Sequence, residues 1–244
     1  MRVLAEIVEG QLQDPCLVKT PEFALFDLNA LVPNLSGAYQ EGIAAAFRMF
    51  DEELEEHLQN LTLGLGYMNG VRAVYTAHFS NPWPDEQRLY DLGEAFRKVV
   101  KRFVQFSSSL NSAPHLLSTV QSLRSQGIKV GLCSDLDEET LHALSKRLNW
   151  NRDLLFDTWV TSDGWVNKTD MISEIMKRFN VLDGRTGFML GAVPSDIAAG
   201  RLCGVQQGLL MASPDHSVEV EGVEMLYSLS QLPEWLKSRQ SAAV

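Results

Sequence analysis

FALFDLNALV, residues 23–32, decides how this chain is read. The apolar run Phe23-Ala24-Leu25-Phe26 stops abruptly at Asp27. A strand buried on both faces reads as such a run, and an acid at its last position is delivered to the edge of a parallel sheet. Upstream, residues 2–8 (RVLAEIV) and 15–19 (PCLVK) read as short strands around Gly10, a hairpin within a 1–22 extension. Downstream, residues 33–110 carry helical periodicity with no strand pattern. SGAYQEGIAAAFRMF has Ser36 as its expected N-cap. DEELEEHLQNL and NGVRAVYTAHF follow, then a break at Asn81-Pro82-Trp83-Pro84, then DEQRLYDLGEAFRKVVKRFVQF. This block is expected to form a helical cap subdomain.

From residue 112 the pattern alternates. Strands are expected at IKVGLCSD (128–135), FDTWVT (156–161), TGFMLGAV (186–193), VQQGLLMA (205–212) and VEMLYSL (223–229). Helices are expected at 113–127, 138–150, 168–181, 194–204 and 232–239, with Pro194 in a first turn. Alternation of this kind builds an α/β, doubly wound, Rossmann-like parallel sheet covered by helices on both faces. The core is expected at 23–32 and 111–244. Ligands of such sheets bind beyond the carboxyl ends of the strands, where Asp27, Ser134 and the loop 191–196 all fall.

Composition narrows the function. The 244 residues fit one large domain, or a core with an insert, at roughly 150 residues per domain. Hydrophobic residues at 45% against 21% charged give a sizeable core and argue against disorder. Lys and Arg number 21 against 31 Asp and Glu, a formal charge of −10, which is the wrong sign for non-specific nucleic-acid binding. No apolar run approaches the roughly 18 residues of a membrane span. The N-terminus meets acidic residues too early for a signal peptide, so a cytoplasmic protein is expected. Cys16, Cys133 and Cys203 lack metal-ligand spacing, and the five histidines show no HxxxH or HExxH pattern.

Together, the strand ending in Asp27, the helical insert, the strand ending in Ser134, Lys168 before a helix and Gly191-Ala192-Val193-Pro194-Ser195-Asp196 resemble the haloacid dehalogenase superfamily. The resemblance covers about residues 23–236. The insert directly after the first motif is similar to the subgroup with a helical cap, which holds phosphoglycolate phosphatases, β-phosphoglucomutases and phosphonatases. It implies Asp27 as nucleophile taking up a phosphoryl group, Ser134 as hydroxyl donor, and Lys168 as the cation that lets two anions meet. The competing, lesser reading makes Ser134 a helix-start cap and Lys168 a solvated lysine.

The family pattern is broken twice. Its first motif reads Asp-x-Asp, with the second Asp as general acid/base; here it is Asp27-Leu28-Asn29, and an amide exchanges no proton near neutral pH. Its fourth motif reads Gly-Asp-x-x-x-Asp; here Ala192 stands where the Mg²⁺ ligand belongs. The resemblance leaves Asp27, the Asn29 backbone carbonyl and Asp196 to hold Mg²⁺, and Mg²⁺ prefers carboxylate oxygen, so a weak Mg²⁺ site is expected. Without the ion, a phosphate oxygen about 4 Å from Asp27 meets roughly 4 kcal/mol of repulsion per charge pair. In the cap, Tyr67 falls near the position of the phosphonatase lysine, and Arg72 is a candidate ligand contact. The groups that position substrate and water in haloacid dehalogenases are missing. The expectation is a hydrolase homologue whose Mg²⁺-dependent phosphohydrolase activity is lost or weak, binding a small anionic or phosphorylated molecule or a protein. The alternative is an active hydrolase of phosphate, carbon–halogen or carbon–phosphorus bonds that uses Asp27 with altered metal use. Nucleic acid and membrane are not expected partners, and the extension 1–22 is a candidate homodimer contact.

Overall fold

All five residues of β1 (Phe23–Asp27) are buried, and their side chains divide by parity between two layers. Ala24 and Phe26 join one apolar cluster and Phe23 and Leu25 the other. This period of two, with both faces covered, is why the sequence shows an unbroken apolar run. The computed structural model describes residues 21–63, 65, 67–80, 85–163, 167–212 and 222–241. The expected N-terminal hairpin and the break at 81–84 lie outside the described residues.

β1 pairs in parallel with β2 (Lys129–Ser134) on one side and β4 (Gly187–Gly191) on the other. With β3 (Thr158–Thr161), β5 (Gln207–Met211) and β6 (Glu224–Leu226) the order is β3-β2-β1-β4-β5-β6, parallel throughout. The chain runs outward from β1 to β3 and then crosses back to start β4 beside β1. The switch point therefore lies between β1 and β4, so the sheet opens a crevice at Asp27 and at the loop after Gly191.

Eleven α-helices are found among the described residues. They are α1 (Leu28–Leu31), α2 (Leu35–Arg48), α3 (Glu56–Gln59), α4 (Tyr67–Phe79), α5 (Glu86–Phe106), α6 (Leu116–Ser125), α7 (Glu138–Arg147), α8 (Arg152–Leu155), α9 (Lys168–Phe179), α10 (Pro194–Leu202) and α11 (Leu232–Ser241). Met171, Ile172 and Ile175 of α9 and Ile197 of α10 cover the Phe23–Leu25 face. Val120 and Leu123 of α6 and Leu236 of α11 belong to the cluster on the Ala24–Phe26 face.

Helices α2 and α4 both pack on α5, and α5 packs in turn on α7, the helix that follows β2. In α5, Leu89, Leu92, Phe96, Val100 and Val104 are buried at spacings of three and four, one stripe of an amphipathic helix. Gly42 of α2 lets the two helices cross closely, because a Cβ there would stand 2.9 Å from Phe96 and Val100. Asp85 caps α5 by accepting from Gln87 N at 2.9 Å and Arg88 N at 3.2 Å.

Two local expectations change. Helix α2 begins at Leu35 with Asn34 as the N-cap residue, and the Ser36 hydroxyl donates back to the Pro33 carbonyl at 3.2 Å. Leu35 is fully buried, and packing draws it into the first turn. The acidic stretch DEELEEHLQNL is α-helical only from Glu56 to Gln59. Asp51 at φ 60 reverses the chain after α2, and Glu52 then pairs with Arg88 at 2.9 Å instead of continuing a helix.

Candidate active site

Asp27 is the last residue of β1 and has the parity of Phe23 and Leu25, so it faces the layer that contains α9. Its Oδ1 accepts the Asn29 N–H at 2.8 Å, which caps α1. Its Oδ2 meets the ammonium of Lys168, the first residue of α9. Asn167 fixes that helix start by accepting from Asp170 N at 2.8 Å. A helix N-terminus repels a cation, so Lys168 has to be held by anions.

Three carboxylates hold it. Besides Asp27, Lys168 Nζ lies 3.0 Å from Asp135 Oδ1 and 3.1 Å from Asp196 Oδ1. Each remaining carboxylate oxygen accepts an amide hydrogen. Asp135 Oδ2 takes the Asn29 side-chain amide at 3.2 Å. Asp196 Oδ2 takes Ala192 N at 2.9 Å and Val193 N at 3.1 Å. Gly191 is required for this loop, since a Cβ there would stand 2.6 Å from Asp196 Cβ. Asp27 and Asp196 are 0% exposed, Asp135 1% and Lys168 6%, so the cluster is closed to water.

Burial, then the neighbouring Asp196 carboxylate, push the Asp27 pKa up from 3.8 to about 7 against the opposing pull of Lys168. Burial also raises Asp135. Burial works against the Lys168 ammonium, but Asp135, Asp196 and Asp27 outweigh it and hold its pKa well above that of a free lysine. Burial pushes the Cys133 thiol up, which makes it a poor nucleophile.

The sequence-derived residues sort plainly. Asp27, Lys168 and Asp196 touch. Ser134 ends β2, one residue beyond the pairing partner of Asp27, and its Oγ accepts Leu136 N at 3.1 Å in the turn that follows. Asn29 is buried against Asp135. Tyr67, at the start of α4, is buried beside Thr140 and the carboxylate of Asp137 at the head of α7. Arg72 pairs with Glu86 at 3.0 Å inside the cap and is not among the groups gathered at Lys168. Asp135 was not singled out by the sequence, although it directly follows Ser134 at the end of a buried strand, where a second polar residue is itself a signal. Tyr39 was also missed. Its hydroxyl is buried without a hydrogen-bond partner, in the field of Asp135 and Asp27, and a lone tyrosine on a helix gives no warning.

Mg²⁺ needs near-octahedral oxygen ligation at about 2.0–2.1 Å. Ala192 offers a methyl group, and the carboxylate oxygens of the cluster lie against an amide or the Lys168 ammonium, Asp135 Oδ1 and Asp196 Oδ1 as ion pairs without a hydrogen bond. The donor set as it stands does not fit the ion, and among the described residues no group of three metal-ligating side chains is arranged to hold one. A cavity of about 280 Å³ opens beside the loop, lined by Ala192, Val193, Pro194 and Met225 of the core and Asn60 and Leu63 of the cap.

A family model described as haloacid dehalogenase-like hydrolase matches residues 24–209. No curated protein matches the chain in sequence. Solved structures match it in fold. β-Phosphoglucomutase from Clostridium difficile superposes with a TM-score of 0.74 at 14% identity, covering 91% of this chain and 98% of that one. A hydrolase from Pseudomonas syringae gives 0.73 at 16%, covering 88% and 98%. CbbY from Rhodobacter sphaeroides, solved with phosphate, gives 0.69 at 15%, covering 87% and 96%. No helix among the described residues is long and apolar enough to cross a membrane.

Proposed function

The chain belongs to the haloacid dehalogenase-like hydrolases, and from that premise we propose that its Mg²⁺-dependent phosphohydrolase activity is lost or weak. The capped site then serves to bind a small anionic or phosphorylated molecule, or a protein. The observation that carries this reading is the pair of replaced groups at the switch point. Asn29 spends its amide on Asp135 and has no proton to give a leaving alkoxide, and Ala192 supplies no oxygen beside Asp196. General acid–base help is worth roughly 10²–10⁴-fold, and a metal ion adds several kcal/mol of charge stabilisation, so losing both removes most of the rate.

A second reading is favoured by Asp27 itself. Its carboxylate is oriented by the Asn29 N–H and by Lys168, as a nucleophile would be. Attack by Asp27 on phosphorus or carbon would expel the leaving group with its electron pair. With no acid at position 29, only a leaving group stable as an anion would depart.

Turnover of p-nitrophenyl phosphate by the purified chain, with and without Mg²⁺ and with Asp27→Asn as control, separates the two. The expected result is no Mg²⁺-dependent rate above that of Asp27→Asn. A clear Mg²⁺-dependent rate that Asp27→Asn abolishes overturns the first reading. Restoring the two family groups takes Ala192→Asp and Asn29→Asp, and Asp135→Asn has to accompany them. A carboxylate at 29 alone would face Asp135 Oδ2 across 3.2 Å, about 5 kcal/mol of repulsion at an effective dielectric near 20.

A further inference from the structure

We infer that the ammonium of Lys168 is the resident cation of this site, and that Asp135 is the third carboxylate that keeps it there. The inference deepens the reading above and rests on its account of the site, since it says what stands in the place of a metal ion. The chemistry is a balance of charge. The ammonium donates a hydrogen bond to Asp27, and it faces Asp135 Oδ1 and Asp196 Oδ1 as ion pairs at 3.0 and 3.1 Å, two buried oxygens that have no hydrogen bond. Three carboxylates converge on the ammonium from three places in the fold: the end of β1, the turn after β2 and the first turn of α10. Each gives one oxygen to the ammonium and turns the other to amide hydrogens. Every carboxylate oxygen has either the ammonium or an amide against it.

Asp135 and Asn29 make this possible together. An amide stands at 29 where the family pattern has a carboxyl, and a carboxylate stands opposite it at 135. The two are joined by one hydrogen bond, from the Asn29 side-chain amide to Asp135 Oδ2. The pair sets a negative charge against the lysine, while Ala192 removes one from the fourth motif. The polar centre is thereby arranged around a monovalent cation that belongs to the chain, and a divalent ion enters only where the ammonium leaves.

The test is Mg²⁺ binding to the full chain, read by calorimetric titration with MgCl₂ alone at a pH above the Asp27 value of about 7, and by thermal unfolding with and without Mg²⁺. The natural chain is expected to give neither binding heat nor a Mg²⁺-dependent shift. Lys168→Met keeps the apolar stem and removes the charge. It is expected to gain Mg²⁺ affinity by about ten-fold or more and to be stabilised by the ion. Adding Asp135→Asn is expected to abolish the gain. Lys177→Met, on the exposed face of the same helix, should change nothing. Lys168→Ala is the second variant should Lys168→Met fold poorly.

Mg²⁺ binding by the natural chain that is lost in Asp27→Asn overturns the inference. So does a folded Lys168→Met that gains no affinity, a gain that survives Asp135→Asn, or failure of both lysine variants to fold even in excess Mg²⁺. The outcomes also separate this inference from the functional reading. Mg²⁺ binding without phosphate-ester turnover sinks the inference and leaves the reading. Mg²⁺-independent turnover through Asp27 counts against loss of activity and leaves the resident cation in place.

Discussion

Asp27 carries opposite demands. As a nucleophile it must be ionised, yet burial and the nearby Asp196 raise its pKa to about 7. The sign for stability follows. A carboxyl whose folded pKa lies above its ordinary 3.8 contributes stability fully below 3.8 and loses it as pH rises through about 7. The chain is therefore expected to unfold at lower denaturant concentration above that pKa than below it, and Asp27→Asn should flatten the dependence; urea titrations across this range measure both. The same proton governs ligands. Below about pH 7 the cluster carries less negative charge, so inorganic phosphate should bind more tightly as pH falls through that value. Calorimetry with phosphate at two pH values checks it, and tighter binding at the higher pH would contradict the account. Gly191→Ala should push Asp196 off the Ala192 and Val193 amides, because the added Cβ stands 2.6 Å from Asp196 Cβ. A loss of about 1–3 kcal/mol in unfolding free energy is expected from the freed amides and the displaced carboxylate.

At the scale of elements, β1 is the centre of the molecule. Phe26 is fully buried in the larger cluster, and Phe26→Ala should cost about 3–5 kcal/mol, measured by chemical denaturation. The alternation of its side chains between two helix layers is what the apolar run predicts. Helix ends were less legible. Ser36 has the right chemistry for a cap, but the helix starts at buried Leu35 with its cap at Asn34, two residues earlier, because packing outweighs a capping preference of about 1 kcal/mol. Residues 51–55 have helix-forming glutamates, but the left-handed Asp51 and the Glu52–Arg88 pair take them out of the helix.

Across the whole molecule, polar contacts tie the cap helices to the core above the closed cluster. Arg147 of α7 donates to the carbonyls of Gln105 at 2.6 Å and of Ser107 at the end of α5. Lys101 of α5 pairs with Glu139, and Arg97 lies 3.8 Å from Asp137. Arg147→Ala strands carbonyls at the end of α5 and should destabilise the chain by about 1–3 kcal/mol. It should also speed amide exchange at the end of α5 and in the turn after β2, read by hydrogen–deuterium exchange. Unchanged exchange at both places would show that the cap does not depend on this anchor.

The sequence by itself determined the sheet. Apolar runs, their spacing and the helices between them fix a parallel α/β core, because burial on two faces leaves a one-dimensional signature. It also placed Asp27, Ser134, Lys168 and Asp196 at strand and helix ends, since each follows a strand and strand ends share one edge. What the sequence could not assign were the contacts between residues far apart in the chain. Asp135 became the partner of both Asn29 and Lys168 only when β2 docked beside β1, and Arg72 became half of a cap ion pair only when α4 met α5. Side-chain partners of this kind depend on distances of a few ångströms between separate elements. Local periodicity carries no information about those distances; the packing of the core sets them.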